Sequence, residues 1–193
     1  MGSAIFSPLA EGYTSAWVSY APTTFNTKSG ATSSNQDGYN TYSVGVLKAI
    51  PIQNLPFLFE FGGNLEWMHY KKAYDSYSYA RNFLGVRLPI SFIYALSLTD
   101  DFILLPYAGF NAKGYLLGTS KTHYFSGAIN DSTTNLFSSD RSNPYKRFTL
   151  GYQVGLKVSY TRFFASIGYS KDLTIISSNS YFSMVTIGIG MSF

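Results

Sequence analysis

The sequence predicts an all-β protein, an eight-stranded antiparallel up-and-down transmembrane β-barrel. Three observations point there: apolar residues alternate with small or polar ones, the chain is apolar without a helical span, and long polar connections alternate with short ones. Charged residues are only 12% of the 193 and aromatics reach 18%, with Tyr 17 and Phe 16. Ordinary soluble domains carry about 25% charged residues. Glycine, serine and threonine nevertheless dilute the mean hydropathy to +0.01. No stretch approaches the roughly 18 continuous apolar residues of a spanning helix. The run over 102–110 is broken by Pro106 and Gly109. Because a bilayer offers no water to the backbone, a closed barrel is the remaining way across.

The strands follow in order. A first is expected around 13–20 and a second at Tyr42, Val44 and Val46. In the third, Phe57, Phe59, Phe61, Leu65 and Trp67 oppose Leu58, Glu60, Gly62, Asn64 and Glu66. The fourth sets Leu84, Val86, Leu88 and Ile90 against Phe83, Gly85, Arg87 and Pro89. In the fifth, Leu104, Ala108, Phe110 and Ala112 oppose Tyr107, Gly109, Asn111 and Lys113. The sixth is the cleanest: Phe148, Leu150, Tyr152, Val154, Leu156, Val158 and Tyr160 on one face, Thr149, Gly151, Gln153, Gly155, Lys157 and Ser159 on the other. The seventh places Phe163, Ala165, Ile167 and Tyr169 against Phe164, Ser166, Gly168 and Ser170. The eighth, within 183–193, places Val185, Ile187, Ile189, Met191 and Phe193 opposite Thr186, Gly188, Gly190 and Ser192. Pro89 and Pro106 are expected to mark strand ends or bulges, since proline cannot donate to a ladder.

Long polar connections are expected over 21–38, 71–76, 119–144 and 171–180, and short ones over 51–56, 99–101 and at Thr161-Arg162. One rim then bears long loops and the other tight turns, with both termini on the turn side. No second domain is visible, so 1–193 reads as one barrel domain. Met1-Gly2-Ser3 reads as an expression start, from which a leader is expected to have been removed.

The decisive question is which face meets lipid. A soluble barrel of lipocalin type would spread charges over its outside. Here the face opposite the apolar one is small and polar, too sparsely charged for a water-facing exterior and suited to a narrow interior. Glycines on that face let aromatics pack over the backbone. The exterior then supplies girdle aromatics: Trp17 or Tyr20, Tyr42, Trp67, Tyr152, Tyr160, Phe163, Tyr169 and Tyr181.

These alternating strands, the loop asymmetry and the ending on Phe193 resemble the small outer-membrane β-barrel proteins of Gram-negative bacteria, the OmpA/OmpX-like class. The last strand is similar to that family's assembly signal, supplied by Thr186, Gly188, Met191 and Phe193, with Val185 where an aromatic is often found. The resemblance implies an outer-membrane location with periplasmic termini and extracellular long loops. Its implied partners are outer-membrane lipids and lipopolysaccharide, the barrel-assembly machinery during biogenesis, and an extracellular ligand at the loops.

By strand parity the lumen collects Glu60, Glu66, Arg87, Lys113 and Lys157, with Asn64, Asn111 and Gln153. Isolated buried charges cost several kcal/mol, so these are expected to pair into a plug. The alternative is a narrow selective pore lined by the same charges. A lipid A-modifying enzyme is a third reading, resting on His123, Ser126 and Asp131 in one loop. His69, near the loop end of the third strand, has lipid-facing parity. The loop aromatics Phe25, Tyr74, Tyr77, Tyr79, Tyr124, Phe125 and Phe137 either form a recognition surface or pack on the barrel mouth. Cysteine is absent, which removes disulfides and thiolate chemistry. The net charge of +4 is spread along the chain, so no nucleic-acid partner is expected. Neither a cofactor nor a metal is expected. The functional expectation is a structural or surface-interaction barrel with a filled lumen.

Overall fold

A computed structural model describes residues 12–193, except 30, 31, 54, 100, 126–129, 141, 143 and the side chain of Ser29. Ten strands form among the described residues. They are β1 (Tyr13–Ser29), β2 (Thr32–Pro51), β3 (Phe57–Ala73), β4 (Tyr77–Tyr94), β5 (Leu96–Ser97), β6 (Phe102–Tyr124), β7 (Ser132–Asn135), β8 (Phe148–Tyr160), β9 (Phe163–Asp172) and β10 (Ser180–Ser192). Eight close a ring in the order β1-β2-β3-β4-β6-β8-β9-β10, with β5 and β7 as short additions on β6. Every neighbour pair is antiparallel, and β10 returns to β1 with Ser15 opposite Ser192 and Tyr20 opposite Ile187. This is an up-and-down barrel.

The pleat sorts the side chains as the alternation predicts. Outward residues include Phe110 at 66% and Ile189 at 63% exposure, whereas inward Lys113 and Asp172 are 2% and 3% exposed. Apolar outside and charged inside is the reverse of a soluble barrel, and it fits a lipid exterior. Of the girdle alternatives Trp17 and Tyr20, Tyr20 takes the outward place and Trp17 does not. It shares the inward face with Tyr13, Ser15 and Ser19, and its ring lies against Gly188 inside the lumen. Tyr20, Tyr42 and Trp67 do face outward, their rings 5.4 and 5.7 Å apart in series.

Three prolines sit inside strands rather than at ends. Pro22, Pro89 and Pro106 each fall where the ladder skips rungs without changing register: β1–β10 between Tyr20 and Thr23, β3–β4 between Ile90 and Arg87, and the β6 edge between Leu104 and Tyr107. The missing N–H is thereby placed where no rung needs it. The expectation for Pro89 and Pro106 is corrected accordingly. Bulges lie instead at Leu116, an extra residue between the pairs Leu84–Leu117 and Gly85–Tyr115, and in β2, where Asp37 and Gly38 stand opposite Thr24 between the pairs Thr23–Tyr39 and Phe25–Gln36.

The long connections also differ from expectation. Most of 21–38 is strand, paired from Ala21–Thr41 to Ser29–Thr32. Residues 71–73 belong to β3, 119–124 to β6, 132–135 to β7, and Lys171, Asp172 and Ser180 to β9 and β10. Above the bilayer the outward face needs no apolar residues, and threonine favours strands, so a polar run extends the ladder without alternating in hydropathy. A bilayer is crossed by about 9–11 residues of strand. β6 has 23 residues and β2 has 20, against 10 in β9. One wall of the barrel therefore rises well above the other.

The low wall is made up by chain folded across the mouth. Leu136, Phe137, Tyr145 and Ile176 pack on Phe25, Tyr39, Met68, Tyr70, Phe83, Tyr115 and Phe182. Backbone bonds tie this cover down: Tyr115 N to Arg147 O at 2.7 Å, Lys146 N to Ile176 O at 2.7 Å and Leu136 N to Gly118 O at 2.9 Å. At the turn end a second apolar cluster, including Tyr13, Leu58, Ile93, Ile103 and Leu105, fills the lumen.

Candidate functional site

Between the two apolar clusters the lumen is polar and almost full. Glu60, from β3, accepts from Lys157 Nζ of β8 at 2.6 Å through Oε1 and at 2.5 Å through Oε2. Tyr13 Oη reaches the same carboxylate at 3.4 Å. The Lys157 ammonium also lies 5.6 Å from the ring centres of both Tyr107 and Phe164. One layer up, Arg87 donates to Glu66 Oε1 at 3.2 Å and to Gln153 Oε1 at 2.8 Å, and Gln153 passes a 2.7 Å bond on to Ser91. Lys113 donates to Asp172 Oδ1 at 2.8 Å, and Asp172 Oδ2 accepts the Phe182 N–H at 3.2 Å. Each of these three pairs crosses the lumen or links separate strands, so the charges brace the walls as well as neutralising one another.

The sequence-assigned lumen residues all lie inside, with one difference in role. Asn111 is buried on the lumen face over Gly151, yet its amide makes no hydrogen bond to protein among the described residues. Asn64 instead takes the Trp17 indole N–H at 3.0 Å. Four members were missed: Tyr13, Trp17, Ser91 and Asp172. Parity held the signal for Asp172, which continues the inward series Ser166, Gly168, Ser170 along β9. The cavity left among Trp17, Glu60, Arg87, Tyr107, Gln153 and Lys157 is about 30 Å³, room for a water or two.

Glycines make this filling possible. The Tyr107 hydroxyl lies against both Gly155 and Gly168, where a Cβ would collide with it, and Trp17 lies over Gly188 in the same way. Of the residues proposed for assembly, Thr186 and Gly188 face the lumen, while Met191 and Phe193 face outward. Phe193 exchanges backbone bonds with Thr14 at 2.8 and 3.1 Å.

The loop aromatics divide. Phe25, Tyr79 and Phe137 pack into the mouth, and Arg81 sits among them with hydrogen bonds to Tyr79 and, at 2.9 Å, to Tyr39. Tyr74, Tyr77, Tyr124 and Phe125 instead gather at the tip of the tall wall. Tyr74 and Tyr77 stack at 4.7 Å, Tyr77 and Tyr124 lie 6.0 Å apart, and Lys72 stands 5.2 Å over Tyr74. Phe125 N bonds to Ser76 O at 3.0 Å, fixing the end of β6 to the β3–β4 hairpin. Beside them His123 Nδ1 meets Asp131 Oδ2 at 2.7 Å, and Asp131 Oδ1 accepts the Tyr124 N–H at 3.1 Å. The His123 contact first, and then the backbone N–H, hold the Asp131 carboxyl below the ordinary aspartate value. Both side chains are about three-fifths exposed, at 59% and 60%. Ser126 lies outside the described residues. Among the described residues no cluster of three metal-ligating side chains occurs.

No protein-family model matches the sequence, and no curated protein matches it. Solved structures do. Ail, the attachment invasion locus protein of Yersinia pestis, superposes with a TM-score of 0.52 at 12% identity, over 95% of this chain and 99% of Ail. Its complex with the heparin analogue sucrose octasulfate gives 0.53 at 13%, with the same coverage. The outer-membrane enzyme PagL gives 0.52 at 10%, over 92% of this chain and 98% of PagL. The fold is that of the small eight-stranded outer-membrane barrels.

Proposed function

We propose that this chain is a surface-interaction barrel of the bacterial outer membrane, with its tall hairpins outward, its turns and termini periplasmic, and its lumen closed. The observation that carries the reading is the aromatic tip. Tyr74 and Phe125 are 41% and 55% exposed at the summit of a wall that a mere membrane plug would not need. Exposed rings with a lysine beside them suit a sugar face bearing anionic groups. The analogue bound to Ail, sucrose octasulfate, is therefore a fitting first probe. Titrated onto the protein in nanodiscs, it is expected to bind, and the double change Tyr74→Ser with Lys72→Gln is expected to weaken binding at least ten-fold while leaving β-structure intact. Unchanged binding in that variant would sink the tip as the contact surface.

The pore reading is tested in planar bilayers, where steady ion-selective conductance altered by Arg87→Gln would overturn the closed lumen. The lipid-modifying reading has one observation behind it, the 2.7 Å His123–Asp131 pair on a fold shared with an enzyme. Incubation with lipopolysaccharide and a search for a mass change tests it, and no change is expected.

A further inference from the structure

The outer wall from β8 and β9 through β10, β1 and β2 to β3 is not uniform. Short aliphatic side chains, Val18, Val44 and Ile189, lie between an aromatic ridge toward the loops (Tyr20, Tyr42, Trp67) and another toward the turns (Tyr160, Phe163). The result is a waist of two hollows, about 650 and 730 Å³, that share those three residues and form one trough along the wall. Its loop end is polar and ordered. The His69 ring stacks on Trp67 at 5.7 Å, with its Nδ1 held at 2.7 Å by Asn82 Oδ1. Tyr20 Oη donates to Asn40 Oδ1 at 2.6 Å, and Asn40 is the rung partner of His69. Lys71 follows two residues along the same face and is exposed. Among the described residues no carboxylate pairs with Lys71, and the carboxylate of Asp37 on the next hairpin accepts from Thr24 at 2.6 Å.

We infer that this wall seats one acylated membrane lipid whose headgroup carries an anionic phosphate. The acyl chain lies in the trough, and the phosphate lies at Lys71 and His69. The proposal rests on the reading of this wall as lipid-facing. Within a bilayer an apolar trough is lined by acyl chains, and the unpaired lysine above it supplies charge complementarity for an anionic headgroup. The imidazole donates to phosphate from Nε2 when protonated, with Nδ1–H kept on Asn82.

The test uses the fluorescence of Trp67, which faces this trough while Trp17 is turned into the lumen. The full chain is folded into vesicles of brominated phosphatidylglycerol mixed with phosphatidylcholine, and of the reverse labelling. Quenching is expected to report about a five-fold preference for the anionic lipid, the scale of a single basic residue at a membrane surface. Lys71→Gln with His69→Gln should bring the ratio to about one, whereas Lys48→Gln at the turn end should leave it unchanged. Val44→Phe fills the trough without altering charge and should also lower the ratio. Equal quenching by both lipids in the native chain, or a preference that survives both the charge and the trough variants, would overturn the site. Quenching that falls for both lipids as protein density rises would assign the wall to a second copy and overturn it equally. Failure of either lipid to quench at all, at any density, would refute the membrane reading itself.

Discussion

Removing the Glu60 carboxylate should show how much of the barrel's stability the lumen charges govern. At 2.6 Å and an effective dielectric near 20, the Glu60–Lys157 attraction is about 6 kcal/mol gross. Desolvation of both ions offsets most of that, so the pair as a whole contributes little. Breaking it is another matter. Glu60→Gln leaves Lys157, 5% exposed, as an uncompensated cation between β3 and β8. Such changes typically cost about 3–5 kcal/mol. The faces of Tyr107 and Phe164 soften the loss here by roughly 1–2 kcal/mol, placing it near 3. Lys157→Met alone should cost less, because Glu60 retains the Tyr13 hydroxyl. The double variant should lie within about 1 kcal/mol of the native chain, giving a coupling of about 2 kcal/mol or more. The assay is urea unfolding of the protein in bilayers, followed by far-ultraviolet circular dichroism and Trp17 emission. A Glu60→Gln loss below about 1 kcal/mol, or losses that add in the double variant, would refute the buried-pair account.

Three further outcomes follow from the same geometry. Gly168→Ala drives a methyl into the Tyr107 hydroxyl and should cost about 1–3 kcal/mol, and Tyr107→Phe in that background should recover part of it; no recovery would mean the strain lies in the wall. Phe182→Ala empties the centre of the mouth cluster, where its ring lies 5.1 Å from Phe25 and 5.8 Å from Phe83, and should cost about 3–5 kcal/mol with faster amide exchange at Leu136 and Tyr145. For Asp131 the folded value is lowered, so its contact with His123 contributes above the ordinary aspartate value and is lost as pH falls through the folded value. Carboxyl NMR should find its midpoint depressed in the native chain and restored toward the ordinary value in His123→Gln; a midpoint indifferent to that change would discount the pair.

Parity was the part of the fold legible in the sequence. Along β8 and β9 it sorted every residue correctly, because each side chain there is either against lipid or against the lumen. The same rule placed Glu60, Arg87, Lys113 and Lys157 inside. It could not say that Glu60 meets Lys157, since those residues stand 97 apart and their meeting depends on how the strands stagger around the ring. The choice between Trp17 and Tyr20 stayed open in the sequence because aromatics crowd both faces of this barrel, and only the small residues opposite Trp17 in β10 give its direction away. The tall hairpins were read as loops for a related reason. Once both strand faces meet water, hydropathy stops reporting the pleat.

The closing seam gives the barrel a distinctive folding problem. Seven of its eight strand junctions form between strands that follow one another around the ring, most as hairpins of little sequence separation and β6–β8 across a longer connection that begins at the pair Gly114–Phe148. The eighth pairs Ser15 with Ser192 and must wait for nearly the whole described chain. Until then the growing sheet carries two open edges, and an unpaired edge in hydrocarbon is severely penalised. Closure is therefore the late, high-contact-order event on which insertion hinges. Weakening rungs on either side of Pro22 should slow insertion more than equal changes in the middle of the β3–β4 hairpin.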